Sequence, residues 1–225
     1  MVARLDARFH FTRQYLQSAF DAAAWARRLE ARYGTKEHPP HAHVRHLGAV
    51  TSAVLHSVAA LEADSWSLLH HGPGHQLGTN GIDGEALAKL KPLAETLEAE
   101  DVLTRLNLTL HVSRGLMLDR GAMPFQMASL LVRLRNELVH YKSKWGVEHE
   151  QFKLLKSLEQ LNLQPPPFRA NAPLLFPQRL LGAACASWAA ATAEAFFDAF
   201  YGALKVPSPV VGLDKSMAGR IRRAV

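Results

Sequence analysis

The sequence predicts an all-α fold, a single-domain helical bundle. Three observations carry that expectation. Apolar residues recur at alternating steps of three and four through most of the chain, no stretch alternates apolar and polar residues for a useful strand length, and no internal repeat or second core is visible. With 225 residues, 48% hydrophobic and 20% charged, the chain can bury one sizeable core. That core is expected over roughly residues 11–204, with 205–225 as a tail.

The first helix is expected from Phe11 to Tyr33, with Phe11, Tyr15, Ala19, Ala22, Ala26 and Leu29 on its inner face and Gly34 as its stop. Lys36 to His46 holds Pro39, Pro40 and the histidines 38, 41, 43 and 46, and reads as a loop. Structural zinc sites normally add cysteines and a more distant ligand pair, so exposed loop histidines are expected rather than a metal site.

Val44 to His70 reads as a long helix with the row Leu47, Thr51, Val54, Val58, Leu61, Ser65 and Leu68. A neighbouring row, Leu55, Val58, Glu62, Ser65 and Leu69, sets one carboxylate in apolar company, where it needs a positive or hydrogen-bonding partner. Arg135 is the expected partner.

His70 to Gly84 contains five glycines and one proline and reads as a loop. No strand precedes it and no Lys-Ser or Lys-Thr follows, which excludes a Walker-type nucleotide site. His70, His71 and His75 are expected at the surface.

Glu85 to Glu98, tolerating Pro92, and Asp101 to Leu118 continue the helical pattern, the latter with Val102, Leu106, Thr109, Val112 and Leu116 on one face. Gly121 to Pro124 breaks the chain before a helix over Leu130 to Trp145. Val147 to Leu163 gives a shorter helix ended by Gln164 and three prolines. Pro177 to Leu204, rich in alanine, is the expected central packing partner, because small side chains let a neighbouring helix approach closely. Only Leu180 to Ala193, 14 residues, is free of charge there, short of the roughly 20 that a bilayer needs. The Arg220 to Arg223 segment is expected in a solvated tail.

A single cysteine, Cys185, excludes an internal disulfide framework and suits a reducing compartment. The N-terminal residues lack an apolar run of signal-peptide length, so a cytoplasmic protein without a membrane partner is expected. The net charge of +6 and pI near 9.7 suit an anionic partner such as RNA without demanding one.

The most informative stretch is Leu130 to Trp145. Met127, Leu131, Leu134, Leu138, Tyr141 and Trp145 make a continuous helical seam, while Asn136 and His140 lie one turn apart and away from it, with Arg135 on its flank. Val132, Asn136, Val139 and Ser143 form a second row nearly opposite the seam, so the helix is expected to make contacts on both sides.

The run Arg135-Asn136-Glu137-Leu138-Val139-His140, followed by Tyr141, resembles the signature of the HEPN superfamily: an Arg and a His four to six residues apart, with a polar residue, often Asn, directly after the Arg. The resemblance implies a helical bundle that dimerises through the motif-bearing helix. It also implies a metal-independent endoribonuclease with no cofactor, in a toxin or phage-defence setting. Arg135 and His140 would be catalytic, with Asn136, Tyr141 and Glu62 supporting them. RNA, a cognate antitoxin and a nucleotidyltransferase-like protein are the partners it implies. Some members of the superfamily are non-catalytic, and a helical binding or scaffold module that recognises RNA, nucleotide or protein is the alternative.

These residue types suit RNA cleavage. RNA carries its own nucleophile, the 2′-OH beside the scissile phosphate, so an enzyme has only to move its proton and stabilise the charged transition state. A histidine side chain, ordinarily titrating at about 6.5, exchanges a proton at cellular pH, and an arginine fork holds two phosphoryl oxygens.

Overall fold

Three long helices approach one another through alanines, and the shorter helices are laid around them. The computed structural model describes residues 11–34, 39–71, 88–140, 153–168 and 179–215. In order these are α1 (Thr12–Tyr33), α2 (Pro40–His71), a 3-10 turn (Lys91–Leu93) running into α3 (Ala94–Leu97), α4 (Val102–Arg114), α5 (Phe125–Val139), α6 (Lys153–Glu159) and α7 (Ala183–Leu204). The structure is mostly helical, with no strand among the described residues, and the all-α class stands.

In the core, Ala186, Ala189, Ala190 and Ala193 of α7 face Ala19, Ala23 and Ala26 of α1 and Ala53 and Ala60 of α2 within one buried cluster. Lacking side chains beyond Cβ, these residues permit the helix axes to close up, and the larger Phe196, Phe197 and Phe200 fill the core along the C-terminal part of α7. The inner face of α1 is rotated from the expected one. Leu16 is buried where Tyr15 was expected, and Phe11 is exposed. Tyr15 sits at the rim and stacks on His56 of α2 at 6.0 Å, because an aromatic ring cannot enter the alanine-lined contact.

The helix α2 begins at Pro40, four residues before the expected start. Proline is tolerated in a first helical turn, where its missing N–H has no partner to lose. His41, His43 and His46 are therefore helical, not loop residues, and His46 is buried. Its Nε2 lies 2.8 Å from Glu30 Oε1, which also accepts the backbone N–H of Ala183 at 2.7 Å. One carboxylate thus ties α1 to α2 and occupies the N-terminus of α7, where the helix dipole favours negative charge. His38 and His75 lie outside the described residues; His70 is exposed and stacks on Trp66 at 5.1 Å.

By length and composition alone, His41–His70 is apolar enough to cross a membrane, with a mean hydropathy of 1.2. Half of that window is buried inside the protein, and it carries the fully buried Asp64. The Tyr201 hydroxyl donates to this carboxylate, 2.9 Å from Oδ1 and 3.0 Å from Oδ2. Apolarity here serves a helix enclosed on several sides.

Several helices depart from their expected limits among the described residues, α7 among them, which begins at Ala183 rather than Pro177. Residues 88–90 are helical as expected, Pro92 tightens the chain into the 3-10 turn, and α3 follows for one turn, while residues 85–87 lie outside the described residues. Asp101 caps α4 by accepting from the N–H groups of Leu103 and Thr104, both at 3.0 Å, and Gly115 ends it at φ 69°, three residues before the expected limit. Leu116 is consequently exposed rather than on the inner face. The side chain of Asn107 then holds the returning loop, donating to Leu118 O at 3.0 Å and accepting from Leu118 N at 2.8 Å. Within the described residues α6 spans only Lys153–Glu159, burying Leu154, Leu155 and Leu158.

Residues 206–215 are no solvated tail. Arg13 donates to Val211 O at 2.5 Å and to Gly212 O at 2.8 Å, Gln17 exchanges two hydrogen bonds with Asp214, and Val210 and Leu213 are buried. The arginines at 220, 222 and 223 lie outside the described residues.

Cys185 reports on the α1–α7 contact. It is fully buried, and burial pushes its thiol up to about 12. At about pH 8 it should stay a neutral thiol and resist a soluble thiol reagent in the native protein, reacting only as denaturant unfolds the chain. Labelling that is already complete without denaturant would show that the helices are loosely packed here.

Candidate functional site

The helix α5 has three distinct sides, and its polar motif residues are divided between two of them. Its inner side buries Phe125, Ala128, Leu130, Leu131 and Leu134, with the Phe125 ring 6.1 Å from that of Phe196. Met127 and Leu138, expected on the same seam, are partly buried at its edges.

One flank turns toward α2. There Arg135 Nη2 meets Glu62 Oε1 in an ion pair, the pairing expected from the lone carboxylate in its apolar row. The Arg135 side chain is 20% exposed and that of Glu62 39%. Burial lowers the pKa of the guanidinium from its ordinary value, because removing water disfavours the charged form. The carboxylate opposes this cost, and an arginine remains protonated in a protein.

The other side faces a cleft of about 740 Å³ between α4, α5 and α6. Val132 and Asn136 of the second row line it; Val139 of the same row is exposed, and Ser143 lies outside the described residues. The cleft also holds Arg120, Arg133, Ser157 and Gln160, which the motif did not single out. Arg133 was detectable, since it follows Ser129 by four residues and precedes Asn136 by three, on the same side of the helix. Arg120 was not, because it comes from the loop that Asn107 holds back; its Nη2 lies 3.4 Å from Thr104 Oγ1.

His140 caps α5. Its backbone N–H donates to Asn136 O at 2.9 Å, and its side chain is exposed one turn beyond Asn136. The helix ends at Val139 and does not run on to Trp145 as expected, and Tyr141 lies outside the described residues. The structure thus brings Glu62 to Arg135 and places His140 one turn from Asn136. It puts about 100° of helix between Arg135 and Asn136, so their side chains diverge.

A buried carboxylate, Asp64, escaped the sequence reading. Asp64 lies on α2 between Leu61 and Leu68, three and four residues away, and that spacing was the available sign that it faces the core.

The Glu62–Arg135 pair and the inner seam of α5 should separate on mutation. Glu62→Ala should cost about 1 kcal/mol, the upper end for a partly exposed pair, by leaving a half-buried guanidinium without its carboxylate. Leu134→Ala, at a fully buried site, should cost about 2–5 kcal/mol. Urea melts of the two variants measure both, and equal losses would mean that Glu62 is part of the core. Comparison with protein-family models, with curated proteins and with solved structures finds no match for this chain.

Proposed function

We propose that the chain is a HEPN-type endoribonuclease that works as a homodimer and cleaves RNA without a metal. The observation that carries this reading is the division of labour on α5: its core contacts are complete without Arg135, Asn136 or His140, yet Glu62 holds Arg135 in place. Side chains outside the core seam gather in the last turns of one helix, Arg135 on its α2 flank and Asn136 on the cleft side.

In the proposed reaction the 2′-OH attacks the adjacent phosphorus, its proton passes to a base, the P–O5′ bond breaks, and the 5′ oxygen takes up a proton. The products are a 2′,3′-cyclic phosphate and a 5′-OH. His140 moves a proton, Arg135 stabilises charge on the phosphoryl oxygens, Asn136 orients the phosphate, and Tyr141 supports the site.

The dimer is proposed through the same helix. Val139 is 52% exposed beside the motif, and Val132 lies in the open cleft. A two-fold contact would bring two copies of this surface together and double the positive charge contributed by Arg133 and Arg135.

A specific observation favours the second reading, a non-catalytic helical module. The cleft contains Asn136, Arg133 and Arg120 but neither Arg135 nor His140, so within one chain it is shaped to hold a ligand without the proposed catalytic pair.

Incubation of the purified protein with total RNA in EDTA should yield cyclic-phosphate ends. His140→Ala should abolish them while the thermal melt stays unchanged, because that side chain is exposed and leaves no cavity. Intact RNA across several RNA classes would favour the binding module, and a His140→Ala variant that melts like a core mutant would make the residue structural.

Light scattering should give a mass near twice the 24.9 kDa of one chain at micromolar concentration. A monomer would remove the shared site.

A further inference from the structure

At the opposite end of α1 from the docked 206–215 segment, the C-terminal turns of α1 and the first turn of α2 enclose a cleft of about 500 Å³. Its floor is apolar, made by the buried Leu29 and Ala42. Trp25 and Tyr33 stand on its α1 side, and Trp25 is 44% exposed. Each ring carries a guanidinium, Arg28 over Trp25 at 5.8 Å and Arg32 over Tyr33 at 5.3 Å. From α2 come His41 and Arg45.

Among the described residues the charge of this cleft has one sign. No carboxylate is among its described lining residues, and the first turn of α2 carries no acidic side chain. Arg32 and Arg45 make no ion pair with a described residue. Glu30, the carboxylate nearest in sequence, is directed instead to His46 and the N-terminus of α7. The amino end of the 32-residue α2 adds its own positive potential.

An exposed indole and a half-buried phenol beside guanidinium groups combine the two requirements of an unpaired nucleotide: a flat apolar surface for the base and positive charge for the phosphate on either side of it. The volume lies within the roughly 300–1,000 Å³ of small-ligand sites. An acidic peptide would use the charge but not the rings, and a duplex would present no free base to them.

We propose that this cleft binds single-stranded RNA, stacking one unpaired base on Trp25 and holding the flanking phosphates with Arg32 and Arg45. It shares no residue with the α5 site and does not depend on cleavage there.

The test is fluorescence anisotropy of the full chain with a labelled oligouridylate carrying 2′-O-methyl riboses. Such a strand lacks the 2′ nucleophile, so loss of turnover cannot be mistaken for loss of binding. Trp25→Ala should weaken binding roughly tenfold at fixed salt, the scale of one lost base stack, and Trp25→Phe should recover most of it. Arg32→Ala and Arg45→Ala should each flatten the dependence of affinity on salt concentration, since each removes a phosphate contact. Thermal melts of all four variants should match the unaltered protein.

No binding by the unaltered protein at high micromolar concentration would overturn the proposal, as would equal affinity for Trp25→Ala. So would a duplex, a polyglutamate chain or anionic phospholipid vesicles that compete as well as the single strand, since each would show that charge alone is recognised.

Discussion

The close approach of α1, α2 and α7 through alanines is the constraint on which the rest of the structure depends. Helices whose contact residues end at Cβ pack at short axial distances, and at such distances no larger side chain fits between them. This fixes which side of each helix faces in. It turns Tyr15 to the rim and leaves the phenylalanines to the C-terminal part of α7. It also encloses Asp64, whose carboxylate is tolerated because the Tyr201 hydroxyl reaches both of its oxygens from the neighbouring helix. Such a buried polar contact disfavours any sliding of α7 along α2, since a shift of one residue would leave the carboxylate without that donor.

The same constraint acts at the connections. An added Cβ at Gly182, just before α7, would lie 2.8 Å from Gln164 O and 3.1 Å from Pro166 N, so glycine permits the proline-rich segment to cross against the start of the helix. Here the requirement is close approach, since the backbone of Gly182 at φ −95° is open to any residue. Glu30 then supplies a hydrogen bond to this helix start that Gly182, without a side chain, does not. Packing of the long helices and capping of α7 are therefore one arrangement, reached from residues far apart in the chain.

Around this frame α5 is a peripheral helix with one side committed to the core. Its remaining surface is divided by geometry: a flank within reach of Glu62, and a side open to the cleft beneath α4 and α6. Arg135 belongs to the first and Asn136 to the second, although they are adjacent in sequence. A shared chemical task for the two would need a ligand that bridges the helix or a second copy of the chain, which is why dimerisation and catalysis stand together in the proposed function. The Trp25 cleft, by contrast, is complete within one chain.

Much of this was legible in the sequence. The all-α class, the inner seam of α5 and most of the inner row of α2 follow from the spacing of apolar residues, a property of the chain itself, and Glu62 stood out as the one charge in its apolar row. Helix limits were less legible. Pro40 starting a helix, Gly115 stopping one and α5 ending at Val139 depend on local backbone choices that apolar spacing does not encode. The bonding partners of His46, Asp64 and Arg13 were not legible, for a physical reason. Periodicity states that a side chain leaves a helix in a given direction, but its neutral, charged, buried or bonded condition depends on what another element places there. Only the tertiary structure put Glu30 beside His46, Tyr201 beside Asp64 and the 206–215 segment over Arg13.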